Sequence, residues 1–268
     1  MANIVSSCAT SHIVMSANGC EDQARNVIEG MKKLGNIIKK SKPDIILIIS
    51  SDHMCNFDLS LQPRFAIGIS DEYTTMGDMD IPIENIKGSR LLANTIVETA
   101  DQDGFDLCQS EELKLDHGIM IPLTFMDLKN YPIVPLIVNI NTSPMAEASR
   151  CVSLARTIKK SINELDEKLN ISVIAAGGLS HWLCIENHGE VSEKFDHMIM
   201  DRLCNGEQEI ITNMGNERII QEGGNAGIEI LTWLMASEIS GNVSGEKIYY
   251  EPMRKWFTGV GGINFEVN

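Results

Sequence analysis

The sequence predicts an α/β fold, a single-domain α/β/α sandwich around a largely parallel or mixed sheet that takes in residues 1–268. Three observations predict it. Ile45-Ile46-Leu47-Ile48-Ile49 is an unbroken apolar run, the pattern of a strand buried on both faces. Residues 171–176 form a second buried-type strand. Between such runs lie long helices with one apolar face, and no linker divides the chain into halves.

The elements follow in order. Ile4-Val5 leads a short strand into Cys8-Ala9-Thr10-Ser11-His12. Residues 21–41 read as a helix, because Val27, Met31, Leu34, Ile37 and Ile38 recur at helical spacing with lysines outside. Pro43-Asp44 ends it, and the 45–49 strand stops at Ser50-Ser51-Asp52-His53. Residues 65–69 read as a strand and 86–100 as a helix with Ile86, Leu92, Ile96 and Val97 inward. The 133–140 strand contains Pro135, which predicts an edge or bulge position because proline cannot donate to a ladder. Residues 145–166 form a second long amphipathic helix, the 171–176 strand breaks at Gly177-Gly178, and 226–238 form a late helix. The tail from Tyr249-Tyr250 to Gly261-Gly262 is aromatic and glycine-rich.

Composition excludes several function classes. Lys+Arg total 22 against 37 Asp+Glu, a formal charge of −15, so phosphate backbones and anionic lipid surfaces are poor partners. Neither nucleic acid nor membrane is expected. Hydrophobic residues at 43% and charged residues at 22% exclude wholesale disorder. The seven cysteines are odd in number, widely spaced and form no C-x-x-C pair, which argues against a disulfide framework and for a reducing, cytoplasmic setting. The N-terminus shows no basic region followed by an apolar core, so no secretory signal is expected.

The chemistry collects at histidines. There are six, and His12, His53 and His181 each follow closely after an apolar strand. Open α/β sheets bind ligands beyond the carboxyl ends of their strands, so these three are expected to converge. His12 alone also fits a satisfied loop histidine. His53, in Ser51-Asp52-His53, is stronger, because a buried strand ending in Asp-His presents two polar groups together. In Leu115-Asp116-His117-Gly118 the aspartate either orients the ring or caps the following helix. His181 leaves a tight Gly177-Gly178-Leu179-Ser180 turn, whereas His188 and His197 read as solvated.

Two histidines and one carboxylate with open positions suit non-haem Fe(II) and oxygen chemistry. His12 and His53 are the imidazole pair. Glu229 is the unusual acid, since Ile228, Ile230 and Leu231 flank it and a carboxylate in an apolar helix needs a compensating charge. A metal would supply that charge, and so would an ion pair with Lys or Arg.

These segments, in this order and together with Pro122-Leu123 and Gly227-Ile228-Glu229-Ile230-Leu231-Thr232-Trp233, resemble the class III extradiol ring-cleaving dioxygenases of the protocatechuate 4,5-dioxygenase β-subunit type. Tyr249-Tyr250-Glu251-Pro252 with Trp256 and Gly259 is similar to the 2,3-dihydroxyphenylpropionate dioxygenase branch. The resemblance covers nearly the whole chain. It implies Fe(II) held by His12, His53 and Glu229, His181 as acid/base, and His117 with Asp116 as further catalytic polar groups. It implies a catechol-type substrate and O₂, with ring cleavage serving aromatic-compound catabolism. The expected assembly is a homo-oligomer, and some members of that family add a small companion subunit. Trp182 departs from the smaller or polar residue often found there, and is expected to shape substrate binding. Lys114 and Arg254 are the candidate cations for a substrate carboxylate. Two other readings compete: a metal-binding or protein-interaction scaffold of the same fold, and a zinc hydrolase, since His, His and Glu also suit catalytic Zn²⁺.

Overall fold

In the computed structural model, which describes residues 1–267, the apolar run at the head of β2 (Ile45–Ser51) is buried at every position. Its side chains alternate between two cores. Ile45, Leu47 and Ile49 join one hydrophobic cluster, and Ile46 and Ile48 join the other. That alternation explains why the strand shows no polar face. Fully burying each such side chain contributes about 1.5–3 kcal/mol.

Eight strands form one mixed sheet. In chain order its members are β1 (Asn3–Thr10), β2, β3 (Phe65–Gly68), β6 (Cys108–Ser110), β7 (Ile133–Val138), β8 (Asn170–Ala176), β9 (Gly245–Met253) and β10 (Thr258–Phe265). A separate antiparallel pair consists of β4 (Glu72–Thr74) and β5 (Asn85–Lys87). The spatial order in the large sheet is β6-β3-β7-β2-β8-β1-β10-β9. The central strands β7, β2, β8 and β1 are parallel, and antiparallel partners flank them on both sides. The fold class read from the sequence is therefore the observed one.

Helices cover both faces. α1 (Glu21–Ser41) buries Val27, Met31, Leu34 and Ile38, and α3 (His117–Phe125) lies in the same layer with Ile119 and Leu123. The opposite layer holds α2 (Arg90–Gln102), α4 (Ala148–Glu164) and α7 (Ile230–Ser240). Two further helices, α5 (Glu193–Cys204) and α6 (Gln208–Gly223), follow β8. All eleven residues of α7 are buried, the polar Thr232, Ser237, Glu238 and Ser240 among them, so it has no exposed face and shows no amphipathic stripe.

Two expectations need correction. Residues 85–87 are a strand and the helix begins only at Arg90, so the 86–100 reading merged two elements. The strand containing Pro135 is interior, between β3 and β2. Its antiparallel register with β3 runs through Leu136, Ile137 and Val138 and stops one residue short of Pro135, so the position without an N–H falls where that ladder has ended. The glycine-rich tail forms the β9–β10 hairpin, which pairs with β1 and extends the sheet. Among the described residues, no helix is long and apolar enough to cross a membrane.

Candidate functional site

The strand order places the ends of β2, β8 and β1 side by side, and the residues that follow them meet there. His12 lies two residues beyond β1, His53 two beyond β2, and His181 follows the turn after β8. Glu229 arrives from the opposite direction, on the short 3₁₀ turn Gly227–Glu229 that runs into α7. That junction is stapled to the end of β8. Thr232 Oγ1 reaches Ala176 O at 3.1 Å and Glu229 O at 3.0 Å, and Trp233 Nε1 donates to Gly177 O at 3.3 Å.

The polar atoms form a tight group. His12 Nε2 and His53 Nε2 are 3.2 Å apart. Glu229 Oε2 is 3.4 Å from His12 Nε2, and Oε1 is 3.3 Å from His53 Nε2. Nearly equal separations of this size suit three donors facing one cation at the ~2.1 Å bond lengths of imidazole and carboxylate ligands. Glu229 also accepts from Ser51 Oγ at 2.8 Å and from the Gly178 N–H at 2.5 Å. Residue 178 must be glycine, because a Cβ there would sit 2.5 Å from His181 Cε1 and 2.8 Å from Glu229 Oε2.

Two outer carboxylates set the rings. Asp116 Oδ2 lies 2.9 Å from His53 Nδ1, while its Oδ1 caps α3 by accepting from Gly118 N at 3.0 Å. Asp78 Oδ2 lies 2.5 Å from His117 Nδ1 and also takes that residue's backbone N–H at 3.1 Å. The sequence reading left Asp116 either orienting the His117 ring or capping the following helix; the structure gives it the cap and the His53 ring, and gives Asp78 to His117. No sequence signal marks Asp78, which lies 39 residues before its partner. Asp52, paired with His53 in the sequence reading, turns away and accepts from the backbone N–H groups of Cys55 and Asn56 at 3.2 and 3.0 Å.

Burial and charge decide the protonation states. Burial lowers His12 to about 3, with Glu229 opposing only part of the shift, so its ring is neutral and available as a ligand. Burial also opposes charge on His53, but its hydrogen bonds to Asp116 and Glu229 win and raise it to about 10. Asp116 is held below its ordinary range, since the bond to His53 overcomes the burial penalty. Glu229 lies well below the usual carboxylate range, because His12, His53 and His181 together outweigh its complete burial. The titratable side chains facing the Glu229 carboxylate are imidazoles, those of His12, His53 and His181, the last 3.8 Å away.

His117 adds a third imidazole. One ring nitrogen each of His12, His53 and His117 lie within 4.8 Å of one another, so two ligand sets share His12 and His53. The Glu229 oxygens lie 3.4 and 3.3 Å from the two shared Nε2 atoms. His181 Nδ1 donates to Leu179 O at 2.8 Å, which leaves Nε2 facing the cavity. Behind His181, Asp196 holds the turn by accepting from Ser180 N at 2.7 Å and Ser180 Oγ at 3.0 Å. Asp196 was not foreseen in the sequence.

These groups border a cavity of about 90 Å³ whose remaining wall includes Ile13, Leu183, Trp256 and Thr258. Trp182 is not part of that wall. Its indole packs against Gly224, and Leu183 and Trp256 take the place expected of it. His188 and His197 are exposed, His188 beside Phe257 and His197 beside Tyr250. A larger groove of about 750 Å³ between α5 and α6 contains none of the clustered histidines and not Glu229.

Fold and site together define an α/β protein whose reactive groups gather beyond the carboxyl ends of parallel strands, where imidazoles and a carboxylate from separate segments face one cavity. Residues 7–261 match the family model described as the catalytic LigB subunit of aromatic ring-opening dioxygenase. The chain belongs to that family, the class III extradiol dioxygenases, and is an enzyme of the aromatic-ring-cleaving kind. It is 23% identical to a 2,3-dihydroxyphenylpropionate/2,3-dihydroxicinnamic acid 1,2-dioxygenase of Photorhabdus laumondii, over 94% of both chains. A gallate dioxygenase of Pseudomonas putida is 31% identical over 62% of this chain and 51% of its own length. Among solved structures, an uncharacterized Escherichia coli K12 protein, JW3007, superposes with a TM-score of 0.67 at 16% identity, covering 97% of this chain and 99% of its own; this likeness concerns the fold.

Proposed function

We propose that this chain is an Fe(II)-dependent extradiol dioxygenase that opens a catecholic ring with O₂. The observation that carries the reading is Glu229: a buried carboxylate whose oxygens lie 3.3–3.4 Å from the Nε2 atoms of two histidines at the floor of a cavity. Those donors fit a divalent cation, since two imidazoles and one carboxylate leave coordination positions open for substrate and gas. His12, His53 and Glu229 would hold the metal. Fe(II) there would supply the electronic link between a catechol and O₂ that spin-paired organic groups cannot provide alone.

The chain's own residues do the rest. Asp116 fixes the His53 ring so that Nε2 faces the centre. His181, with Nδ1 committed to Leu179 O, presents Nε2 to take a proton from a catechol hydroxyl and return it later. His117, anchored by Asp78, presents a second polar ring on the other side of the cavity. Ile13, Leu183 and Trp256 exclude water from the ring's faces. The work belongs to aromatic-compound catabolism, in the cytoplasm, with a homo-oligomer as the assembly.

The test is anaerobic Fe(II) loading, then a spectrophotometric screen of catechols in air with oxygen uptake followed in parallel. A new yellow, semialdehyde-type absorbance with matched O₂ consumption supports the reading. Bound iron with no cleavage of any catechol sinks it. Stoichiometric zinc with hydrolytic turnover would replace it.

A further inference from the structure

Beyond its imidazoles, the cavity wall offers nothing to pair with an anion. Apart from the imidazoles and Glu229, it consists of Ile13, Leu183, Trp256, Thr258 and the backbone at Gly178. The side-chain donors of that set and the Gly178 N–H are already engaged. Trp256 Nε1 donates to Ser16 O at 2.9 Å, Thr258 Oγ1 to Gly259 O at 2.9 Å, and Gly178 N to Glu229. The two candidate cations lie elsewhere. Arg254 pairs with Glu193 at 2.8 Å on the surface, and Lys114 borders a separate groove with Glu72, Glu111 and Glu112.

Negative charge already stands behind the histidines. Glu229 lines the cavity, Asp116 backs His53, and Asp78 backs His117. Leu183, in the wall, is exposed, and the chain neighbours of Ile13, Leu183 and Trp256 include the exposed apolar side chains Met15, Ile185 and Phe257 and the exposed Lys255, which does not line the cavity. At about 90 Å³ the cavity admits little more than one ring, far below the ~300 Å³ at which drug-sized pockets begin. Any ring substituent must therefore lie along this apolar wall toward the mouth.

We propose that the ring substrate of this chain carries an uncharged, apolar substituent, and that ring acids are rejected. The proposal rests on the ring-cleavage reading above. Its physical basis is desolvation. A carboxylate moved from water against Ile13, Leu183 and Trp256 loses its hydration and gains from that part of the wall neither a cation nor a free side-chain donor. The formal charge of −15 further opposes the approach of an anion. The site selects by what it withholds from the wrong ligand.

The experiment pairs substrates that differ only in that charge: 4-methylcatechol against 3,4-dihydroxybenzoate, and 3-propylcatechol against 3-(2,3-dihydroxyphenyl)propionate. Two quantities are measured on the Fe(II)-loaded protein, kcat/KM by oxygen uptake and Kd by anaerobic calorimetry. The neutral member is expected to win by on the order of 10²-fold in both. A Leu183→Lys variant, which places a cation in the wall, is expected to move the ratio toward the acids by at least about tenfold. Equal or better use of the acids by the unaltered chain overturns the proposal and leaves the ring-cleavage reading standing. If no catechol is cleaved with iron bound, that reading fails, and the anaerobic Kd values alone decide the proposal: tighter binding of the neutral members supports it, and equal or tighter binding of the acids overturns it.

Discussion

Nδ1 of His53 lies 2.9 Å from Oδ2 of Asp116, and the other oxygen of the same carboxylate caps the helix that begins at His117. One side chain thus joins the ring orientation of a site histidine to the start of a helix 63 residues further along the chain. The helix carries His117, so both rings are registered to each other through Asp116 as well as through the sheet.

Asp116→Ala is expected to weaken metal binding by about 10–100-fold, because His53 loses the partner that fixes its tautomer. It is also expected to cost about 1 kcal/mol through the lost cap. Asp116→Asn retains a cap oxygen, so its metal affinity should fall more than its stability. Metal titration and thermal melting of both variants separate the two effects. Unchanged affinity in both would show that Asp116 serves the helix alone.

Glu229→Ala removes the buried carboxylate between His12 and His53, and is expected to abolish metal retention and turnover. His181→Ala is expected to keep the metal and lose on the order of 10²–10⁴ in kcat. Metal content by mass spectrometry beside oxygen uptake distinguishes the two roles. Loss of metal from the His181 variant would move that residue into the ligand set.

Gly178→Ala tests the site without touching the core. A methyl group there meets His181 and Glu229 at 2.5 and 2.8 Å, so one or both must move. Metal affinity and kcat should fall together, because a displacement of about 1 Å near the chemistry costs up to 10²-fold. Wild-type kcat in this variant would mean that neither side chain needs its observed position.

Asp196 predicts a pH dependence of stability away from the metal. Burial, against the hydrogen bonds of Ser180 and Tyr250, raises it from 3.8 to about 6. An acid raised on folding binds more protons in the folded state, so stability falls as pH rises. Its favourable contribution is complete below about pH 4 and is lost as pH passes 6, for a total of about 3 kcal/mol. Urea midpoints of the wild type and Asp196→Asn, compared from pH 4 to 7, should show the wild type losing ground to the variant across that window. A difference independent of pH would exclude the raised value.

Much of the architecture was legible in residue order. The β2 run and the apolar stripe of α1 reported strand and helix because a doubly covered strand and a half-covered helix have different periods. The β9–β10 hairpin was not legible, since its glycines weaken the strand pattern and only pairing with β1 stabilises it. Pro135 misled for a related reason: whether a missing N–H matters depends on how far the neighbouring ladder extends, which no local pattern states.

The sequence by itself determined that strands would end in His12, His53 and His181, that a buried acid at 229 needed a partner, and that the chain resembled ring-cleaving dioxygenases. Only the tertiary structure decided which carboxylate serves which ring, that Asp78 and Asp196 belong to the site's support, and that Leu183 and Trp256 rather than Trp182 line the cavity. The physical reason is range. Periodicity and burial act through near neighbours and leave a mark on the local pattern. A hydrogen bond between residues 39 or 63 positions apart depends on how strands are ordered in the sheet, and that order is set by the packing of the whole core.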